Sequence, residues 1–104
     1  MLILGIETSC DDTCVSVVEN GQNILSNVIS SQDHNIFGGI VPEVAARNHS
    51  SKIVQITSKA LENAKVSIEQ IDKIGVTSKP GLSSSLMIGV SFAKALSYAK
   101  KIPI

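Results

Sequence analysis

The chain has 104 residues, 43% of them hydrophobic and 3% aromatic, and its nine basic and nine acidic side chains cancel to a formal net charge of zero. That balance suits one globular unit, leaves no room for a second domain and excludes a disordered tail. It also lacks the basic footprint and the aromatic platforms of a self-sufficient nucleic-acid binder. No apolar run approaches the roughly 20 residues that span a bilayer. The N-terminus has neither the basic flank nor the small-residue cleavage site of a signal peptide, so the expected setting is cytoplasmic, with no membrane partner.

"LILGI", residues 2–6, is apolar at both parities, the pattern of a strand buried on both faces. "ETSCDDT", residues 7–13, follows it and sets three carboxylates among hydroxyl and thiol groups, with no glycine. "TCVSVV", residues 13–18, is β-branched again, so strand, tight turn and returning strand are expected, with the acids at a hairpin tip. Cys10 and Cys14 are the only cysteines. A lone C-x-x-x-C falls short of a zinc site, and reduced thiols packed as small hydrophobes are the better reading.

Glu7 ends the first strand, where an unpaired buried carboxylate is costly, so a hydrogen bond to a neighbouring loop is expected. Ser9 and Thr13 offer hydroxyls either for capping the turn or, with the turn amides, for approaching phosphate oxygens. Asp11 and Asp12 read most simply as solvated turn acids.

"QNILSNVIS", residues 22–30, after the "ENG" turn, makes a third strand of a meander. A polar, glycine-ended loop, residues 31–39, then leads to Pro42, which suits a first helical turn. A helix is expected over Pro42–Ala64, with His49, Ile53, Ile56, Ala60 and Ala64 forming one core-facing stripe. His49 there is either a hydrogen-bonded core residue or a cleft group. Glu43 and Arg47, four apart, suit an ion pair and also the lining of a cleft.

"IDKIGVTS", residues 71–78, reads as a fourth strand ending at Pro80 and Gly81. Ser83, Ser84 and Ser85 are N-cap candidates for a helix over residues 86–101. Ser85, Gly89 and Ala93 make a small-residue face for close helix packing, partly uncovered in this chain, and "IPI", residues 102–104, looks like the first residues of a fifth strand.

A three-strand meander followed by helix, strand and helix is an α/β order found in one lobe of the ribonuclease H-like fold shared by actin, sugar kinases and Hsp70-type proteins. Residues 1–104 are read as an incomplete N-terminal lobe of such a two-lobe fold. "LGIETSCDDT", "FGGIVPEVAARNH" and "KPGLSSSLMIGVSFAKAL", in this order and spacing, resemble the opening segments of the tRNA N6-adenosine threonylcarbamoyltransferase family.

The resemblance implies an acyltransferase that moves a threonylcarbamoyl group from threonylcarbamoyl-adenylate to N6 of adenine 37 in tRNAs reading ANN codons. It implies a metal, usually iron, held by two histidines four apart and a late aspartate, none of which lies in this chain. No metal ligand is therefore assigned here, and the chain alone is expected to be inactive. Asp11 and Asp12 match the family's acidic pair as catalytic candidates, with Asp12 where glutamate is more usual. A carboxylate there could take the proton lost as the adenine amine attacks.

Ser9 and Thr13 become phosphate or nucleotide contacts, and Glu7, Glu43, Arg47 and His49 become cleft or structural groups. Lys79 stands where the family usually has glycine, so strain of roughly 1 kcal/mol is expected if that residue adopts a left-handed backbone. The implied partners are tRNA, the adenylate and a related dimerisation subunit engaged through the two helices, with self-association of the isolated chain. The alternative is a non-catalytic scaffold module related to that subunit.

Overall fold

The computed structural model describes all 104 residues. Strands β1 (Leu2–Glu7), β2 (Thr13–Glu19) and β3 (Asn23–Ser30) precede helix α1 (Pro42–Ala64), and strand β4 (Lys73–Val76) precedes helix α2 (Ser83–Lys100). The sheet order is β3-β2-β1-β4, antiparallel through the first three strands and parallel between β1 and β4. A parallel neighbour needs a long crossover, which α1 supplies. The β2–β3 hairpin turns on Asn20 and Gly21, both at positive φ (54° and 69°), the pairing that matches strand twist.

Both helices lie on one face of the sheet, α1 across β2 and β3 and α2 across β1 and β4. Leu4, Ile6, Val15, Val17 and Ile74 point into that layer and meet Ile53, Ile56 and Ala60 of α1 and Ala93 of α2. Leu4 is fully buried, and truncating such a side chain to alanine costs about 2–5 kcal/mol. Burial of β1 on both faces is not what forms. Ile3, Gly5 and Glu7 are only half-buried, because no helix covers the opposite side, where Gly5, Glu7, Cys14, Ser16, Asn27, Gly75 and Thr77 frame a shallow groove of about 430 Å³.

Helix α1 has the expected bounds and buries Ala45, His49, Ile53, Ile56 and Ala60 along its stripe. Helix α2 starts earlier than expected, at Ser83, and its N-cap is Leu82 with no side-chain cap. Tertiary docking sets that start. The Leu82 N–H donates to the Ser9 carbonyl at 2.8 Å, and a Cβ on Gly81 would lie 2.5 Å from the same oxygen. The "KPGL" turn is thus seated on the β1–β2 loop, and the serines that follow are already inside the helix. Lys79 is not among the residues with positive φ, so the expected left-handed strain there is absent.

The fourth strand is shorter than expected, although backbone bonds from Asp72 to Leu2 and from Thr77 to Ile6 extend its pairing by a residue at each end. Its outer edge is partly met: Ile74 N–H donates to Pro103 O at 2.9 Å, and Ile102 is buried. The face carrying Ser85, Gly89 and Ala93 is not uncovered either, since all three are buried. The Thr8 hydroxyl donates to Ser85 O at 2.7 Å and accepts from Gly89 N–H at 3.1 Å. These are the two groups that an α-helix would pair with each other.

A Cβ at Gly89 would sit 2.5 Å from Thr8 Oγ1. Gly89→Ala is therefore expected to lower stability by about 1–3 kcal/mol. Adding Thr8→Ala should recover part of that loss, because the helix can close its own hydrogen bond once the hydroxyl is gone. A double-mutant cycle by urea denaturation checks this, and strictly additive effects would show that the hydroxyl and the glycine are not coupled.

Candidate functional site

The β1–β2 loop gathers most of the residues singled out from the sequence. Glu7 closes β1, and its carboxylate accepts the Ser9 N–H at 2.7 Å on one oxygen and the Ser9 hydroxyl at 2.8 Å on the other. The expected loop partner of Glu7 is therefore its own turn. Ser9 spends its hydroxyl proton on this carboxylate, and its carbonyl receives Leu82.

Asp11 and Asp12 follow on the tip, both half-buried. The ion pairs of the molecule are Arg47–Glu43 and Lys100–Glu69, so neither aspartate, nor Glu7, has a cationic partner. The two aspartates are thus left without a cation of their own on the tip.

Thr13 begins β2 and is buried, with Oγ1 2.7 Å from His49 Nδ1. His49 itself is fully buried, and its Nε2 lies 2.8 Å from the carbonyl oxygen of Cys10. The ring thus reaches from α1 to both ends of the acidic tip. The stripe position explains its burial, and the two hydrogen bonds remove the penalty that an unsatisfied imidazole would carry there.

Both thiols are held above their ordinary range. Burial raises Cys10, and the neighbouring Asp11 charge adds to it. Burial also raises Cys14, with Asp12 and Glu7 contributing. Such thiols stay protonated at neutral pH and make poor nucleophiles. Both are free.

Glu43 and Arg47 do form the expected pair, at 2.6 Å, with side chains 74% and 79% exposed. A pair so exposed adds only about 0.3–0.5 kcal/mol. They make no hydrogen bond to the acidic turn and line neither groove of the molecule.

Sequence reasoning missed Thr8, whose role is visible only once β1 and α2 are brought together, and the polar cluster beside Thr13. There Gln32 Oε1 accepts from Asn48 at 3.2 Å and lies 2.6 Å from His34 Nε2, while His34 Nδ1 accepts the Val41 N–H at 3.3 Å. A polar pocket of about 300 Å³ opens next to this cluster, lined by Thr13, Ser30, Ser31, Gln32, Asp33, Asn48 and Lys52.

A metal has no place among these residues. No group of three or more histidine, cysteine, aspartate or glutamate side chains converges. Both ring nitrogens of His34 and of His49 are already engaged, and the thiols are held protonated.

The family model for tRNA N6-adenosine threonylcarbamoyltransferase matches residues 23–104. Transferases of that name from Caldicellulosiruptor saccharolyticus, Desulfotalea psychrophila and Fusobacterium nucleatum subsp. nucleatum are 53%, 57% and 54% identical to the chain over 99%, 99% and 100% of its length. The chain spans only about 30% of the length of these relatives. Among solved structures it is similar to YeaZ from Pseudomonas aeruginosa, with a TM-score of 0.76 at 16% identity over 99% of this chain and 42% of that one. A second chain, described as similar to peptidase YEAZ from Pseudomonas aeruginosa, superimposes with a TM-score of 0.70 at 17% identity. These likenesses show the ribonuclease H-like, actin-type α/β fold and nothing finer. At the level of sequence, the chain belongs to the tRNA N6-adenosine threonylcarbamoyltransferase family.

Proposed function

We propose that residues 1–104 are the N-terminal lobe of a two-lobe enzyme that transfers threonylcarbamoyl from threonylcarbamoyl-adenylate to N6 of adenine 37 in tRNAs reading ANN codons. The observation that carries this reading is the pair Asp11 and Asp12, displayed without a cationic partner on a turn fastened to both helices. In the step itself the exocyclic amine attacks the carbamoyl carbonyl and the new N–C bond forms. The bond from that carbon to the phosphate oxygen breaks, AMP departs, and the amine proton passes to a carboxylate of the turn. A carboxylate is a competent acceptor at neutral pH and gains basicity where water is excluded.

The phosphate would meet the backbone amides of the turn and Ser9, whose hydroxyl must first turn away from Glu7. Thr13 contributes through His49, since its own hydroxyl is already used. Iron, which the resemblance implies, finds no ligand set among these residues, and no step is assigned to it. The exposed Glu43–Arg47 pair is assigned no part in the step.

The alternative of a non-catalytic scaffold module is weaker, because identity to transferases exceeds 50% whereas identity to the YeaZ chain is 16%. No helix is long and apolar enough to cross a membrane, which suits an enzyme meeting tRNA in the cytoplasm. Alone, the 104-residue chain is proposed to leave tRNA unmodified.

A chimera tests the reading. The matching 105-residue segment of the Caldicellulosiruptor saccharolyticus transferase is replaced by this chain, and modified adenosine is measured by mass spectrometry with the adenylate and tRNA supplied. Activity is expected in the chimera, with Asp11→Ala or Asp12→Ala lowering turnover by roughly 10²-fold or more. Parental rates in both variants would remove the acidic turn from the chemistry.

A related dimerisation subunit, or a second copy of the chain, would meet the outer helix surface, where Val54, Met87 and Tyr98 are 64%, 64% and 90% exposed. Light scattering across a hundredfold dilution should show the isolated chain moving from dimer to monomer. A monomer at every concentration would exclude self-association.

A further inference from the structure

The partners of His49 leave its neutral ring a single tautomer. The Cys10 carbonyl oxygen has no proton to give, so at 2.8 Å it must accept from Nε2–H. In the neutral ring Nδ1 is then the acceptor, and the Thr13 hydroxyl at 2.7 Å is its donor. The ring is fully buried, and Thr13 is 1% exposed, so water cannot substitute for either bond. Between the two residues that the ring holds lie Asp11 and Asp12 and nothing else.

We propose that His49, fixed as its Nε2–H tautomer by the Cys10 carbonyl and held at Nδ1 by the Thr13 hydroxyl, is a positioning residue that sets the direction of the two carboxylates. The proposal rests on the reading of the acidic turn as the proton acceptor in the transfer. The chain between Cys10 and Thr13 carries no side chain that packs into the core. Its acids have no cationic partners, and the turn contains no proline to restrict its backbone. The imidazole is therefore the rigid element that spans the tip. It is placed by α1, whose buried stripe leaves the ring no other direction. A shift of about 1 Å in a reacting group can cost roughly a hundredfold in rate, so a strut across the tip bears on turnover and not only on folding.

Thr13→Val keeps the shape of the side chain and deletes the donor, leaving Nδ1 buried without a partner. Nitrogen-15 spectra of the histidines in the 104-residue chain should show one Nε2–H tautomer for His49 in the parent and in Thr13→Ser. Thr13→Val should keep that tautomer but shift the Nδ1 signal, which loses its donor, with the Asp11 and Asp12 amide signals displaced and those of β4, which pairs with β1 and not with β2, unmoved. In the chimera, Thr13→Val should lower kcat roughly ten- to hundredfold while KM for tRNA stays within about twofold, and Thr13→Ser should be at least about tenfold faster than Thr13→Val.

An Nδ1–H tautomer or a doubly protonated ring in the parent overturns the proposal, and this arm stands even if Thr13→Val does not fold. So does a Thr13→Val chain that loses only thermal stability while keeping the parental turn signals and kcat. If Asp11→Ala and Asp12→Ala leave the chimera at full rate, the proposed chemistry fails separately, and the spectra still decide whether the ring orders the tip.

Discussion

One hydroxyl joins the sheet to the second helix. Thr8, the first residue beyond β1, is fully buried and lies between the Ser85 carbonyl and the Gly89 amide of α2. Several features follow from that contact. Position 89 must be glycine, since a Cβ would overlap Thr8 Oγ1. The first turn of α2 is drawn against the β1–β2 loop, which brings Leu82 N–H to Ser9 O and leaves space only for glycine at position 81. The helix then starts at Ser83 whether or not a serine caps it. Burying the Ser85 Oγ without a partner costs roughly 1–3 kcal/mol, and the surrounding packing of a closed small-residue face offsets it.

The same loop is fastened on its other side by His49, so its two ends are held by different helices. This arrangement reconciles two demands that usually conflict. As proton acceptors in the proposed transfer the acids at the tip would need exposure, and exposed turns are the parts of a fold that move most readily. Here the backbone on each side of Asp11 and Asp12 is bonded to buried groups, while the carboxylates themselves are left without cations. Glu7 adds to this by drawing both donors of Ser9 inward, which tightens the approach to the tip with a charge already desolvated in part.

Most of the architecture was legible in the sequence because it rests on periodicity. The stripe from His49 to Ala60 in α1 and the β-branched runs of β2 and β3 have local signatures that tertiary contacts did not override, although Ala64 at the end of the expected stripe is only half-buried. The misreadings have a common physical origin in contacts between distant segments. The bare face of β1 is invisible to an apolar run that looks the same whether one or both sides are covered. The serines ahead of α2 read as caps only while the docking of Gly81 on Ser9 is unknown. Lys79 looked strained through comparison with a glycine, yet its backbone avoids the left-handed region. Within the candidate site, the acids are named through the family resemblance, whereas the Thr8 and His49 contacts join residues 77 to 81 and 36 to 39 positions apart and leave no trace in any short window.

The charge distribution assigns a division of labour. Asp11 and Asp12 lie at the tip, with Glu7 closing β1 before it, and the two thiols nearby are held above their ordinary range in part by these charges. A polyanion such as tRNA gains nothing electrostatically from such a surface, and the chain as a whole offers it no compensating positive charge. In the proposed transfer, affinity for the nucleic acid would therefore have to come from elsewhere in an active assembly, leaving the tip to accept a proton. In that reading concentrated negative charge suits proton acceptance, because it favours the amine as positive charge develops on it during attack, and the zero net charge of residues 1–104 keeps the residues proposed to react apart from those that would hold the polyanion.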